Sequence, residues 1–206
     1  MKYVAPAFRF SPATHKRLNQ IRLNVAIVSL VMVRLFSPMI HEVFWQDLLL
    51  IYNIFAWITI LTVDSSRLPE FTTTRIQQKQ SWIMAGKISP LILGGCVGAV
   101  YVLHVPIHVP KLLLASLFSM LIGAYLDELL FRNILQPRLR KLGLTPWLSI
   151  IMQSLIYAIS FAFYKEPLGI VICALFLGIA NGWLVYKFRS LWAAFALSVV
   201  WHILLV

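Results

Sequence analysis

Acidic residues are scarce: seven Asp and Glu in 206 positions, against 18 Lys and Arg. Charged residues of both signs make up only 12% of the chain, about half the share usual in a soluble domain. Together with 60% hydrophobic residues, that scarcity excludes a water-soluble globule and a disordered chain. Cysteine is scarce as well. Cys96 and Cys173 stand alone, without CxxC or metal-ligand spacing, so a disulfide scaffold is excluded and both read as small apolar side chains. Nine glycines exclude a collagen-like period, and the sequence contains no P-loop, no Gly-x-Gly-x-x-Gly and no repeat of fixed spacing. What remains is an all-α, polytopic membrane bundle with a mean hydropathy of +0.83.

Apolar runs fall at 23–40, 44–63, 81–103, 111–135, 145–164, 168–186 and 191–206, which predicts about seven spanning helices. Pro69, Pro106, Pro110, Pro137, Gly143 and Pro167 punctuate the gaps. The expected organisation is a basic N-terminal tail over 1–22 and a single transmembrane domain over 23–206. With the N-terminus in the cytoplasm, fifteen of the 18 Lys and Arg fall on the cytoplasmic side, Lys111 and Lys165 fall outside, and Arg34 lies within the first span. The positive-inside rule accounts for that asymmetry, leaving no support for nucleic-acid binding. The tail is also suited to anionic lipid headgroups, and a bacterial plasma membrane is the expected location. Gly94/Gly98 and Gly178/Gly182 are small-xxx-small pairs read as close helix packing.

An ionisable group within hydrocarbon is costly, so each one is a candidate for function. The fourth run ends on Asp127, Glu128 and Arg132. Glu128 and Arg132 stand one turn apart on a helix, while Asp127 is rotated by about 100°. The plainer reading is a Glu128–Arg132 pair near the cytoplasmic face, with Arg132 snorkelling and Asp127 capping or in water. The functional reading is a catalytic or metal-linked carboxylate oriented by an arginine.

Residues 127–139, DELLFRNILQPRL, resemble the first signature of the CAAX-protease and bacteriocin-processing (CPBP, or Abi) intramembrane proteases, Glu-Glu-xxx-Arg. Residues 145–161, TPWLSIIMQSLIYAISF, look like the second signature region, in which an aromatic precedes a His by four. Residues 177–202, LGIANGWLVYKFRSLWAAFALSVVWH, look like the third, in which a Ser-Leu-Trp-Ala turn enters a helix bearing His-xxx-Asn or Asp. The resemblance covers about 115–206. It implies a helical bundle in which a glutamate and two histidines activate water for peptide hydrolysis, directly or around a metal.

Carried over position by position, Glu128 matches the catalytic Glu, Arg132 the motif arginine and Asp127 the first Glu. The aromatic falls on Tyr157, but Phe161 stands at the first expected His and Ser198 at the second, with His202 at the Asn/Asp position. Phenylalanine neither ligates a metal nor accepts a proton. His202 lies about 6 Å along the helix axis from Ser198, so replacing the lost imidazole would need a shift of a full turn. His104 and His108 flank Pro106, which breaks any helix that would align them, and His15 and His41 flank the first span. Arg34 is expected to snorkel toward Glu42 rather than pair with Asp127.

The resulting expectation is a catalytically silent CPBP-like protein acting as a subunit, assembly factor or stabiliser of a membrane-protein complex. The alternative is an active CPBP-type endopeptidase with Glu128, Asp127 and Arg132 as its catalytic set and His202 as a weak further candidate. No cofactor is expected, and a metal only under the protease alternative; one carboxylate beside a cation supplies too few ligands for zinc. The charge asymmetry generates a topology test. A cysteine introduced as Arg140→Cys should react with a membrane-impermeant maleimide only from the cytoplasmic face. Labelling from the outer face alone would overturn the orientation.

Overall fold

The computed structural model describes residues 12–36, 52–60, 74–103 and 114–205, and among these no strand occurs. The helices are α1 (Pro12–Phe36), α2 (52–60), α3 (Arg75–Val102), α4 (Leu114–Glu128), α5 (Gln136–Lys141), α6 (Pro146–Phe163), α7 (Leu168–Phe188) and α8 (Trp192–Leu205). A π-helical segment, Leu129–Leu135, joins α4 to α5 without a break.

Local chemistry explains the boundaries. Thr74 and Gln77 form a capping box at the start of α3: the Gln77 N–H donates to Thr74 Oγ1, and the Thr74 N–H donates to Gln77 Oε1. Thr145 caps α6 with Pro146 in the first turn, where its missing N–H costs nothing. Gly143 turns the chain between α5 and α6 at φ +95°, a conformation that L side chains rarely adopt. Arg189 closes α7 in the left-handed region, its N–H donating to Val185 O at 2.8 Å. The Ser-Leu-Trp turn then starts α8.

Among the described residues four helical segments are long and apolar enough to cross a membrane: Arg17–Phe36, Arg75–Ala99, Pro146–Phe163 and Leu168–Phe188. Their outward faces carry Leu91, Ile83, Ile151, Leu168 and Phe176 in exposed positions, as a bundle immersed in hydrocarbon requires. The main core joins Leu23, Ile27 and Leu30 of α1, Trp57 and Ile60 of α2, Leu130 and Phe131 of the π segment, Tyr157 and Phe161 of α6, Leu177 of α7 and Trp201 of α8. A smaller cluster packs Ala85 of α3 against Leu184, Phe188 and Ala193. At one end of the bundle Arg138 donates to Asn24 Oδ1 and Arg140 lies 5.0 Å over the Tyr186 ring. The basic α5 thus meets α1 at Asn24 and α7 at Tyr186.

Several expectations change. The fourth run does not end before Pro137; its helix continues to Lys141. In the π segment bonds reach five residues back, as in Gln136 N–H to Phe131 O, and this wider turn accommodates a proline ring that an α-turn would reject. Helix α1 starts at Pro12 and so takes in part of the expected tail. The gaps holding Pro69, Pro106 and Pro110 lie outside the described residues, as do the side chains of His15, His41, Glu42, His104 and His108.

The two glycine pairs part company. A Cβ added at Gly178 would lie 3.0 Å from Ser154 Cβ, and one at Gly182 would lie 2.6 Å from Gln153 Nε2 and 3.1 Å from Ile150 Cγ2. This pair is where α7 crosses α6. Gly94 and Gly98 on α3, expected to pack, have nothing among the described residues within 4 Å of an added Cβ. Gly182→Val should therefore lower folded yield and thermal stability, on the order of 1–3 kcal/mol for an overpacked contact. Gly98→Val should leave both nearly unchanged. Thermal unfolding in detergent checks the contrast.

Candidate functional site

Glu128 is the last residue of α4, and the π segment that follows buries Leu129 through Ile134 in succession. The Glu128 side chain is fully buried, and Arg132 is 1% exposed. Glu128 Oε1 accepts the Ser198 hydroxyl of α8 at 2.5 Å and the Asn181 side-chain amide of α7 at 2.9 Å. The Asn181 Nδ2 protons also reach Ser198 Oγ at 2.9 Å and the Ala194 carbonyl at 3.2 Å. Glu128 Oε2 faces Arg132 Nε at 3.3 Å. Three chain segments thus converge on one carboxylate, and charge-assisted hydrogen bonds are the strong ones in such a medium.

Arg132 does not snorkel. Its guanidinium lies over the Tyr157 ring at 4.2 Å and beside Phe131 at 5.7 Å, so a cation–π face and the Glu128 carboxylate together hold the charge inside. Asp127 neither caps nor lies in water. Arg34 of α1 grips it with two parallel bonds, Nε to Oδ1 at 3.0 Å and Nη2 to Oδ2 at 2.8 Å, while stacking 4.9 Å over Tyr164. The expected reach of Arg34 toward Glu42 gives way to this pair. A guanidinium fork matches a carboxylate, and both charges are far costlier alone than together in a low dielectric.

Phe161 packs edge-on to Tyr157, 5.2 Å between centroids, and 6.4 Å from the His202 ring. His202 Nδ1 is 2.7 Å from the Ser198 backbone oxygen, a contact within its own helix. It is Ser198, one turn earlier, that reaches Glu128. The structure therefore gathers Glu128, Arg132 and Ser198, gives Asp127 to Arg34, and leaves His202 at the edge with Phe161.

Sequence reasoning missed Asn181. The signal was present: an amide between Gly178 and Gly182 in a 21-residue apolar helix must find a polar partner across the bundle. Gln136 and Gln153 were missed for the same reason; they donate to the Gly182 and Gly178 carbonyls at 3.1 Å each.

This donor set does not fit a divalent metal. Glu128 Oε1 accepts two hydrogen bonds, Oε2 faces the Arg132 cation, and among the described residues no three of His, Cys, Asp and Glu come together. As arranged, the cluster orients and neutralises a carboxylate; among the described residues neither an imidazole nor a second carboxylate is on it to take a proton from water.

The Arg34–Asp127 pair is open to a direct test. Asp127→Asn and Arg34→Met should each destabilise the protein, and the double variant should recover part of the loss. A double-mutant cycle on thermal unfolding should give a coupling of about 0.5–3 kcal/mol, the range for residues sharing an ion pair.

Against known families, residues 109–204 match the model described as "Type II CAAX prenyl endopeptidase Rce1-like". No match comes from the curated proteins or from the solved structures. The resemblance read from the three signature segments is thereby borne out at the level of the family.

Proposed function

Residues 109–204 are an Rce1-like membrane domain of the CPBP family, and from that premise we propose that this protein has retained the bundle while giving up peptide hydrolysis. It serves as a subunit, assembly factor or stabiliser of a membrane-protein complex. The observation that carries this reading is the state of Glu128. Where the family resemblance calls for an imidazole, Ser198 donates its hydroxyl to Oε1 at 2.5 Å, and Asn181 donates to the same atom. The other resembling position holds Phe161, packed against aromatic rings. Hydrolysis needs a base with a free lone pair near a water and a group to stabilise the developing oxyanion. Glu128 Oε1 instead accepts two hydrogen bonds and Oε2 lies against the Arg132 guanidinium, which suits the carboxylate to joining helices.

This reading puts the protein in the plasma membrane with its basic end in the cytoplasm, in keeping with Arg138 and Arg140 of α5 gathered at one end of the bundle against Asn24 and Tyr186. The N-terminal basic segment then faces anionic headgroups.

The test turns on how Glu128 and Arg132 respond to substitution. Removing one member of a buried pair leaves the other charge uncompensated and costs on the order of 3–5 kcal/mol, whereas removing both is often close to neutral. Glu128→Gln or Arg132→Met should lower folded yield or incorporation into a complex, and the double variant should recover part of it. An endopeptidase behaves otherwise: Glu128→Gln folds and assembles normally, a membrane substrate accumulates uncut, and no second substitution restores cleavage. Measuring yield, complex content and peptide cleavage for the three variants separates the two, and the second pattern would overturn the proposal.

A further inference from the structure

Cys96 on α3 and Cys173 on α7 take no part in the Glu128 cluster, yet the fold brings them together. Both side chains are buried, at 3% and 1% exposure. The Cys173 thiol donates to the Cys96 backbone carbonyl oxygen at 3.6 Å, which sets the two residues side by side where α3 meets α7. They line a cavity of about 340 Å³ between α3 and α7, with Leu91, Gly95, Ala99, Phe176 and Ala180 among its walls. Leu91 and Phe176 are exposed on the flank that faces hydrocarbon, and among the described residues nothing stands within 4 Å of a Cβ added at Gly95. The cavity thus offers an apolar molecule a way to the two thiols from the bilayer, while water-borne reagents meet a low-dielectric barrier.

Two adjacent thiols together release two electrons and two protons when they join as a disulfide. In an apolar site the thiolate is disfavoured, which protects a cysteine from aqueous oxidants. A neutral, lipid-soluble two-electron acceptor avoids that protection because it partitions into the same phase.

We propose that Cys96 and Cys173 form a dithiol–disulfide site, oxidised from within the bilayer by a quinone, that covalently ties α3 to α7. One sulfur bonds to a quinone ring carbon as its proton moves to a quinone oxygen. The second sulfur then attacks the first. The S–S bond forms, the S–C bond breaks with its electron pair left on the ring, and the second thiol proton leaves with the ring as hydroquinone. Two S–H bonds are lost, one S–S bond is gained and one quinone is reduced.

The test uses the full chain, reduced and reconstituted in phospholipid vesicles, exposed either to duroquinone or to ferricyanide on both sides of the membrane. After treatment the protein is unfolded in detergent with N-ethylmaleimide and its intact mass measured. Untreated protein should take up two maleimides. Duroquinone-treated protein should take up none, weigh less by two hydrogens and yield one equivalent of durohydroquinone. Ferricyanide should leave both thiols free, and Cys96→Ser and Cys173→Ser should each keep their remaining thiol after duroquinone. Both thiols still alkylated after duroquinone would overturn the proposal, as would a mass gain from oxygen or a stable quinone adduct, or cross-links between copies. Equal oxidation by ferricyanide would overturn the route through the bilayer.

Discussion

A carboxylate buried with no exposed surface imposes a condition on everything around it. Glu128 is tolerable inside the bundle only while α7 delivers the Asn181 amide, α8 delivers the Ser198 hydroxyl and the π segment delivers Arg132. That condition sets the register of three segments to within hydrogen-bond tolerance. It also explains the tight α6–α7 crossing. Gly178 and Gly182, without side chains, let Gln153 and Gln136 reach their carbonyls on either side of Asn181, fixing the depth at which the amide meets Glu128.

Around this centre the bundle divides its charges. Asp127 and Glu128 are neighbours in sequence but turn to different arginines, Arg34 from α1 and Arg132 from the π segment. Each guanidinium is also stacked on a tyrosine, Tyr164 or Tyr157. A cation bound by a carboxylate on one side and a ring on another is held in geometry as well as in energy. The two pairs, with the Asn181 and Ser198 bonds to Glu128, therefore fasten α1, α4, α6, α7 and α8 into one unit, while α3, whose Gly94 and Gly98 meet nothing among the described residues, adheres through apolar contact with α7 and α8.

Much of this was legible from the chain. Scarce acids, long apolar runs and proline punctuation foretold a helical membrane bundle, and three short segments foretold the family. The match of Ser198 to a motif position was also readable, and the hydroxyl does arrive at Glu128. Other features were not legible, for identifiable reasons. Helical period alone placed Arg132 one turn from Glu128 but said nothing of the π register or of the Tyr157 ring that keeps the guanidinium inside. Pro137 read as a terminator because α-helical rules assume four-residue bonds, which the wider turn sets aside. Arg34 was assigned to Glu42 from depth along its own helix, whereas its partner lies 93 residues away. Gly94/Gly98 and Gly178/Gly182 share one spacing, and only tertiary placement shows that one pair packs and the other does not.

The polar load on the α4–π–α5 stretch also bears on how the chain is made. Asp127, Glu128 and Arg132, with Asn133 and Gln136, fall within ten consecutive residues. Each central Asp or Arg opposes insertion by about 2.5–3.5 kcal/mol on a translocon scale. Arg34 is synthesised early and can be waiting when Asp127 emerges, but Asn181 and Ser198 leave the ribosome some fifty and seventy residues after Glu128. During that interval the carboxylate has Arg132 but neither of its other partners. A chain arrested before α7 would present an incompletely compensated charge to the insertion machinery, a natural mark for membrane quality control. Completion of the C-terminal helices is then the event that commits the middle of the protein to the bilayer.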